Sequence, residues 1–294
     1  MTIPANTRQQ AQDLLDFIDA SPSPWHAVAT CEQRLQAAGF ARLDETERWT
    51  LQAGDKRYVV RGDAAIIAFV VGSAALAESG LRIIGAHTDS PGLRIKPKPA
   101  EAVGGMVRLG VEVYGGPILA TFADRDLSLA GRVHVRTADG FTTRLVRFAD
   151  PLLRLPNLAI HMNREVNESG LKFNKQSELP LLLGVAEEGV KADARFRQPI
   201  AAALGVEPGD LLTWELNAYD TQKGSLWGAD REFIADSQLD NLASCHAALN
   251  ALLATDQPAA TCLCAFFDHE EVGSESAAGA GGSFIADVLA RLAG

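Results

Sequence analysis

Two short apolar runs, each followed by a cluster of polar residues, constrain the fold of this chain most strongly. The first apolar run is LRIIGA (81–86), and the second is TCLCAFF (261–267). Neither alternates apolar with polar residues, a pattern typical of strands buried on both faces within an α/β sheet. An interior helix is the alternative for the first run, but that run is short and rich in β-branched residues. The sequence therefore predicts an α/β fold with both runs as buried strands.

The sequence pattern changes between the two runs. Residues 92–150 contain short β-like stretches and glycine-rich turns. Helical spacing of apolar residues returns after Leu226 and predicts a helix with one buried face over 237–254. Near the N-terminus, the same spacing predicts two helices around a Ser-Pro-Ser-Pro turn, with Gly39 closing the second. We therefore expect an α/β domain that is interrupted by a β-rich insertion.

Further elements follow from the same patterns. We expect strands over 57–61, 64–71, 106–113, 131–137, 141–147 and 211–218, helical material over 176–206, and a helix over 283–292.

Composition excludes several classes of protein. Lys and Arg number 27 and Asp and Glu 37, and the net charge of −10 argues against a nucleic-acid binder. The longest apolar stretch, residues 64–77, is shorter than the ~20 residues of a membrane span. The N-terminus has no apolar signal core, and four cysteines are too few for a disulfide framework. We expect a cytoplasmic protein that binds neither nucleic acid nor membrane.

Three polar clusters lie next to predicted buried elements. His87-Thr88-Asp89 follows the first apolar run, residues 236–241 begin the predicted helix, and residues 268–271 follow the second apolar run. Ligands of open α/β sheets gather at the carboxyl ends of strands, so we expect one shared site. Imidazole with carboxylates suits zinc or another borderline divalent metal. Two metals with a bridging carboxylate could bind a substrate carbonyl and activate a water molecule.

Each cluster also has a simpler interpretation. His87 could be a packed or surface residue, and Asp240 could be favoured by the helix dipole alone. Glu270 and Glu271 could be solvated loop charges. Adjacent like charges cost free energy unless a cation is near, however, and the three clusters occur together. Their joint occurrence favours a metal site.

Five segments occur in one order along most of the chain: HTDSPGLRIKPKP (87–99), FADRDLSLAGRV (122–133), PNLAIHMNREVNESG (156–170), DSQLDNLASC (236–245) and FFDHEEVGSESAAGA (266–280). Together they resemble the M18 metalloaminopeptidases, the aspartyl aminopeptidase family. The resemblance implies a zinc-exopeptidase-like mixed sheet flanked by helices. It also implies a catalytic α/β domain over 1–90 and 228–294, and an inserted β-rich dimerisation domain over 91–227.

The resemblance further implies a site that holds two zinc ions in each complete subunit. His87 corresponds to a ligand of one metal, and Asp240 to the carboxylate that bridges both. Glu270 matches the general base, and Glu271 matches a metal ligand. Asp89 resembles the carboxylate that orients the histidine ligand, which is a common role for such a partner.

The resemblance also bears on assembly and on the length of the chain. His161 resembles a histidine that reaches the active site of a neighbouring subunit. Family members often form tetrahedral dodecamers, so we expect a homo-oligomer. The family pattern continues beyond Gly294 with another Asp ligand, a final His ligand and substrate-pocket residues. We therefore expect a C-terminal part to be missing, and the alternative is a natural short form that completes its site differently.

These features predict a hydrolase, namely a metal-dependent aminopeptidase. It would remove N-terminal residues from peptides, and acidic residues (Asp or Glu) are the expected ones. A sister zinc carboxypeptidase or deacylase is one alternative, although the segments at 124–133 and 156–164 favour M18. The other is a non-catalytic assembly or binding form. We expect residues 1–294 alone to be inactive.

Overall fold

The N-terminal segment supplies two long helices and most of one sheet. In the computed structural model, which describes residues 3–294, its elements are α1 (Ala5–Asp19), α2 (Pro24–Ala37), β1 (Ala41–Arg42), β2 (Lys56–Arg61), β3 (Ala65–Val70), α3 (Leu76–Ser79) and β4 (Leu81–His87). Helix α2 begins where the Ser23 side chain accepts the His26 N–H, with Pro24 in its first turn. Gly39 follows it with a φ of 84°. The predicted helix pair is confirmed.

The next segment forms a second sheet. Its elements are β5 (Gly92–Val103), β6 (Met106–Tyr114), β7 (Leu127–Thr137), β8 (Gly140–Arg147), α4 (Val166–Ser169), β9 (Leu181–Val185), α5 (Ala192–Leu204) and β10 (Leu211–Asp220). The strands pair antiparallel in the order β8-β7-β10-β5-β6-β9. The helical prediction for 176–206 is partly wrong. Residues 181–185 form a strand because Leu181 packs into the core of this sheet, and tertiary packing overrides local propensity.

The C-terminal segment adds one strand to the first sheet and forms a separate two-stranded sheet. Its elements are β11 (Ser225–Trp227), β12 (Phe233–Ala235), α6 (Leu239–Leu253), β13 (Thr261–Phe267) and α7 (Phe284–Ala293). Helix α6 buries Leu242, Cys245, Leu249 and Leu252, as its spacing predicts. The predicted helices over 237–254 and 283–292 are confirmed.

The chain divides into two compact units. One contains the residues up to Ser90 together with Lys223–Gly294, and the other, the inserted unit, contains Pro91–Gln222. In the first unit, α1, α2 and α6 pack on one face of the sheet and α7 on the other. Alternate residues of β3 accordingly enter the two cores, with Ile66 on one side and Ile67 on the other. The predicted mixed sheet flanked by helices is confirmed.

The first apolar run lies at an edge of the sheet of the first unit. The order is β1-β2-β3-β13-β4, so β13 is flanked by β3 (antiparallel) and β4 (parallel). Among residues 3–294, β4 pairs only with β13, and Ile83 and Ile84 are 46% and 49% exposed. The prediction that the first apolar run is buried on both faces is therefore wrong.

Two further findings concern the chain as a whole. All four cysteines are free thiols, and Cys31, Cys245 and Cys264 are buried. No helix within residues 3–294 combines the length and the apolar character that crossing a membrane requires. A cytoplasmic location stays a prediction.

Candidate metal centre

The carboxyl ends of β4 and β13 lie side by side. The two strands run parallel, and His87 is paired with Phe267. Beyond this pair, the Thr88 N–H donates to the Phe267 carbonyl at 2.8 Å, and the buried Thr88 hydroxyl donates to the Ala64 carbonyl at 2.7 Å. The polar residues that follow the two strands are therefore brought together, as the position of ligand sites in α/β sheets predicts.

Asp89 links the two strand ends through its carboxylate. The side chain is completely buried, and its Oδ1 and Oδ2 accept the backbone N–H groups of Glu270 and Glu271, each at 3.2 Å. Oδ1 also lies 3.4 Å from Nδ1 of His87, and the Asp89 carbonyl lies 3.0 Å from the same nitrogen. Nδ1 of His87 is thereby engaged, and Nε2 is left to face the carboxylates of the site.

His87, Glu270 and Glu271 can offer ligand atoms that all lie within 4.8 Å of one another. Nε2 of His87 is 3.8 Å from Oε2 of Glu270 and 3.4 Å from Oδ1 of Asp240. We call these four residues the candidate metal centre. An imidazole surrounded by carboxylates matches the donor set that zinc takes in proteins.

Asp240 lies at the start of α6, but its backbone is not helical. Its φ and ψ are −86° and 111°, the preceding segment bends at Gln238 (φ 57°), and the Asp240–Asn241 peptide bond is cis. The Ser90 hydroxyl donates to the Asp240 carbonyl at 3.1 Å. The Asp240 side chain is 86% exposed and approaches His87. The helix dipole alone would favour an acidic residue at this position but would not direct its side chain at His87.

The charges of the centre favour a cation. Burial alone would lower the pKa of His87, but Asp89 and Glu270 outweigh it and raise this pKa to about 9. Burial raises the pKa of Glu271, and the negative charge of Asp89 raises it further. A divalent cation at Nε2 would relieve the same repulsion that a proton on His87 relieves. The residues present therefore fit a metal ion.

Two neighbours of the centre were not found from the sequence. Ser90 holds the Asp240 backbone, and the Cys245 thiol donates to the His87 carbonyl at 3.1 Å. Both contacts join residues 150 or more positions apart, so they cannot be predicted from the spacing of residues in the sequence.

His161 belongs to the inserted unit. It lies in the short 3₁₀ helix Ile160–Met162, and its flanking residues Ile160 and Met162 are exposed. Its role toward a neighbouring subunit stays a prediction.

The fold and the site together define an α/β protein with a candidate histidine–carboxylate metal centre at its strand ends. The family model described as Aminopeptidase I zinc metalloprotease (M18) matches residues 17–294. The chain belongs to this M18 family, as its sequence segments predict.

Known relatives of this chain are proteins named as M18 family aminopeptidases. The probable M18 family aminopeptidase 2 of Stutzerimonas stutzeri is 49% identical over 285 residues, and that of Ectopseudomonas mendocina is 47% identical over 285 residues. Each match covers 96% of this chain and 66% of the relative. A cryo-EM structure of the Ape4 and Nbr1 complex is 36% identical, with a TM-score of 0.92, and the match covers 100% of this chain and 61% of that one. The chain thus spans slightly less than two thirds of the length of these relatives.

Proposed function

We propose that this chain carries the catalytic centre of a dinuclear zinc aminopeptidase that removes N-terminal residues from peptides. The observation that carries the proposal is the convergence of His87, Glu270 and Glu271 within 4.8 Å, beside Asp240. Membership of a family described as zinc metalloproteases supports the choice of metal.

In this proposal, His87 would hold zinc through Nε2, and Glu271 and Asp240 would supply the carboxylate ligands. Bound zinc supplies a Lewis acid and lowers the pKa of a water molecule. The 86% exposure of the Asp240 side chain leaves its carboxylate accessible to two ions. Asp89 keeps Nε2 of His87 directed at the site because it engages Nδ1.

Glu270 is the proposed general base. Its carboxylate is about half exposed and lies 3.8 Å from His87 Nε2, so it reaches both the ligands and solvent. It would take a proton from the attacking water and pass it to the amine of the leaving peptide. Its backbone N–H donates to Asp89, which fixes the point from which the Glu270 side chain extends.

The proposal includes substrate choice and assembly. We propose acidic N-terminal residues as substrates, 91–227 as a dimerisation domain, and His161 as a substrate contact delivered to a neighbouring subunit. A solved structure titled as the mApe1 dodecamer of S. cerevesiae is 26% identical with a TM-score of 0.84, and it supports a homo-oligomer.

A second candidate function is an assembly or binding form without a working metal site. The observation that favours it is the small number of proposed ligands, since His87, Asp240 and Glu271 are three groups for two ions. Zinc ions usually take three or four protein ligands each, so we propose that residues 1–294 alone are inactive and hold fewer than two zinc ions tightly.

The test compares two proteins. One is residues 1–294, and the other is a chimera in which the C-terminal remainder of the Stutzerimonas stutzeri relative follows Gly294. Zinc content after dialysis is measured with cleavage of an Asp-terminated peptide and of its N-acetylated form. The proposal expects the chimera to bind two zinc ions and to cleave only the free N-terminus, and residues 1–294 to do neither.

Two variants separate the site from adventitious metal. His87→Ala should lower the zinc content of the chimera, whereas His134→Ala, a histidine that contacts Thr143 in the inserted unit, should not. Equal zinc retention by both variants would exclude the proposed centre. An inactive chimera that still assembles would favour the second candidate, and two tight zinc ions with turnover in residues 1–294 would show that the shorter site is complete.

A further inference from the structure

A row of polar side chains lies behind the turn that carries Glu270 and Glu271. His269 precedes this turn in a left-handed conformation, with a φ of 66°. Its Nδ1 is 2.8 Å from Oγ of Ser276, and its Nε2 is 3.4 Å from Oδ2 of Asp268. The imidazole therefore contacts a hydroxyl through one ring nitrogen and a carboxylate through the other. None of the three side chains is a proposed metal ligand.

The segment after the turn folds back to deliver Ser276. The Ser274 N–H donates to the His269 carbonyl at 2.7 Å, and the Asp268 N–H donates to the Ala278 carbonyl at 3.0 Å. At Gly279, an added Cβ would lie 2.0 Å from the Ser274 carbonyl oxygen, so no larger residue fits there. The segment is thus wound closely against the turn, and Ser276 has a fixed position relative to His269.

Asp268 and Ser276 are the two side-chain partners of the imidazole. The Asp268 carboxylate is almost fully buried, and its Oδ2 lies 3.4 Å from Nε2. Ser276 Oγ shares a hydrogen bond with Nδ1 at 2.8 Å. This order is the reverse of a serine-hydrolase triad, in which the serine meets Nε2 and the aspartate meets Nδ1. Ser276 also lacks the G-x-S-x-G frame of a nucleophile elbow.

We propose that Ser276 is a positioning residue for Glu270 and Glu271, and that it acts through His269. The Ser276 hydroxyl holds the His269 ring through a hydrogen bond. His269 is the residue immediately before Glu270 in the chain. A fixed ring restricts the backbone rotation that would carry the amides of Glu270 and Glu271 away from Asp89. The effect of Ser276 on catalysis rests on the proposed metal site, whereas its effect on the order of the turn does not.

The first experiment needs no metal. Amide hydrogen exchange of Glu270 and Glu271 is measured in residues 1–294 and in Ser276→Ala, Ser276→Thr and Ser283→Ala. Ser276→Ala should exchange about 5-fold faster, which corresponds to the net loss of about one hydrogen bond. Ser276→Thr keeps the hydroxyl and should exchange like the parent. Ser283→Ala is the matched control, because its hydroxyl donates to Asp287 instead.

The second experiment adds Co²⁺ as a spectroscopic probe. Ser276→Ala should bind Co²⁺ about 5-fold more weakly than the parent, and Ser276→Thr should recover the parent affinity. If His87→Ala binds Co²⁺ as well as the parent, the metal site fails, and the exchange data still test the role of Ser276. Ser276→Cys, whose thiol is a weak donor, replaces the alanine variant if that variant does not fold.

Three results would overturn the proposal. Parent-like exchange in Ser276→Ala would show that the contact does not hold the turn. Exchange in Ser276→Thr as fast as in the alanine variant would show that the hydroxyl is not the group that matters. Labelling of Ser276 by a fluorophosphonate would make it a nucleophile rather than a positioning residue.

Discussion

Asp89 and Glu270 are joined by a hydrogen bond from the Glu270 backbone N–H to the buried Asp89 carboxylate, at 3.2 Å. The same carboxylate lies beside Nδ1 of His87. One side chain thus positions both the proposed histidine ligand and the proposed base, which are 183 positions apart in the sequence.

Replacing Asp89 by Asn should damage this arrangement. The variant loses the negative charge and directs an amide N–H₂ at one of the two backbone donors. We expect the zinc affinity of the variant to fall about 10- to 100-fold, as is typical when a group that supports a metal ligand is changed. We also expect its free energy of unfolding to fall by about 1–3 kcal/mol. Competition against a chelator and urea unfolding measure the two effects. Asp256→Asn, an exposed change, is the control, and parent-like affinity in Asp89→Asn would refute the supporting role.

Glu270→Gln separates proton transfer from metal binding. In the chimera, this variant should keep its zinc and lose at least about 10²-fold in kcat, the usual contribution of a general base. Steady-state kinetics with metal analysis of the same sample provide the measurement. Near-normal turnover with zinc retained would remove Glu270 from the role of base.

His161 should act across a subunit boundary. Mixed assemblies of His161→Ala and Glu270→Gln subunits should regain part of the activity, because each subunit supplies what the other lacks. Activity is measured after subunit exchange has been verified by mass. Homogeneous assemblies of each variant are the controls, and hybrids as inactive as these would contradict action in trans.

Asp236 should make stability depend on pH. Burial and the nearby charge of Asp19 raise its pKa from 3.8 to about 7, despite the opposing hydrogen bond from the Ser237 N–H and the opposing charge of Lys223. The folded state therefore binds this proton more tightly than the unfolded state does. The resulting stabilisation is complete below about pH 4 and is lost as the pH rises through 7.

Asp236→Asn removes this titration. The unfolding free energy of the variant, relative to the parent, should rise between pH 5 and pH 8, which urea unfolding at several pH values measures. Asp256→Asn, a change at an exposed carboxylate, is the control. A constant difference between parent and Asp236→Asn across this range would mean that Asp236 does not carry the raised pKa.

The sequence predicts some features of the fold and not others, for physical reasons. The apolar composition of 81–86 favours a strand, but the place of a strand in a sheet depends on its partners, and β4 lies at an edge. The leucines at 181–183 suit a helix or a strand, and the neighbouring β6 decides in favour of β9. Helices α2, α6 and α7 could be predicted because their spacing and ends are local properties.

The sequence likewise predicts some features of the candidate metal centre and not others. The clusters at His87 and Glu270 could be placed at strand ends, because an apolar run ends visibly in the sequence. The hydrogen bonds from the Glu270 and Glu271 amides to Asp89 could not be predicted, since they depend on the register of β4 against β13. The bend that directs Asp240 toward His87 is likewise set by backbone dihedral angles that the sequence pattern does not encode.

Among residues 3–294, β4 pairs on one side alone, and this has a dynamic consequence for His87, the last residue of the strand. A strand held on one side opens more readily than one held on both. Just beyond His87, the buried Thr88 and Asp89 anchor the chain, so an opening that withdrew the imidazole would also have to break their hydrogen bonds. The dwell time of a metal ion would therefore be coupled to this local unfolding event.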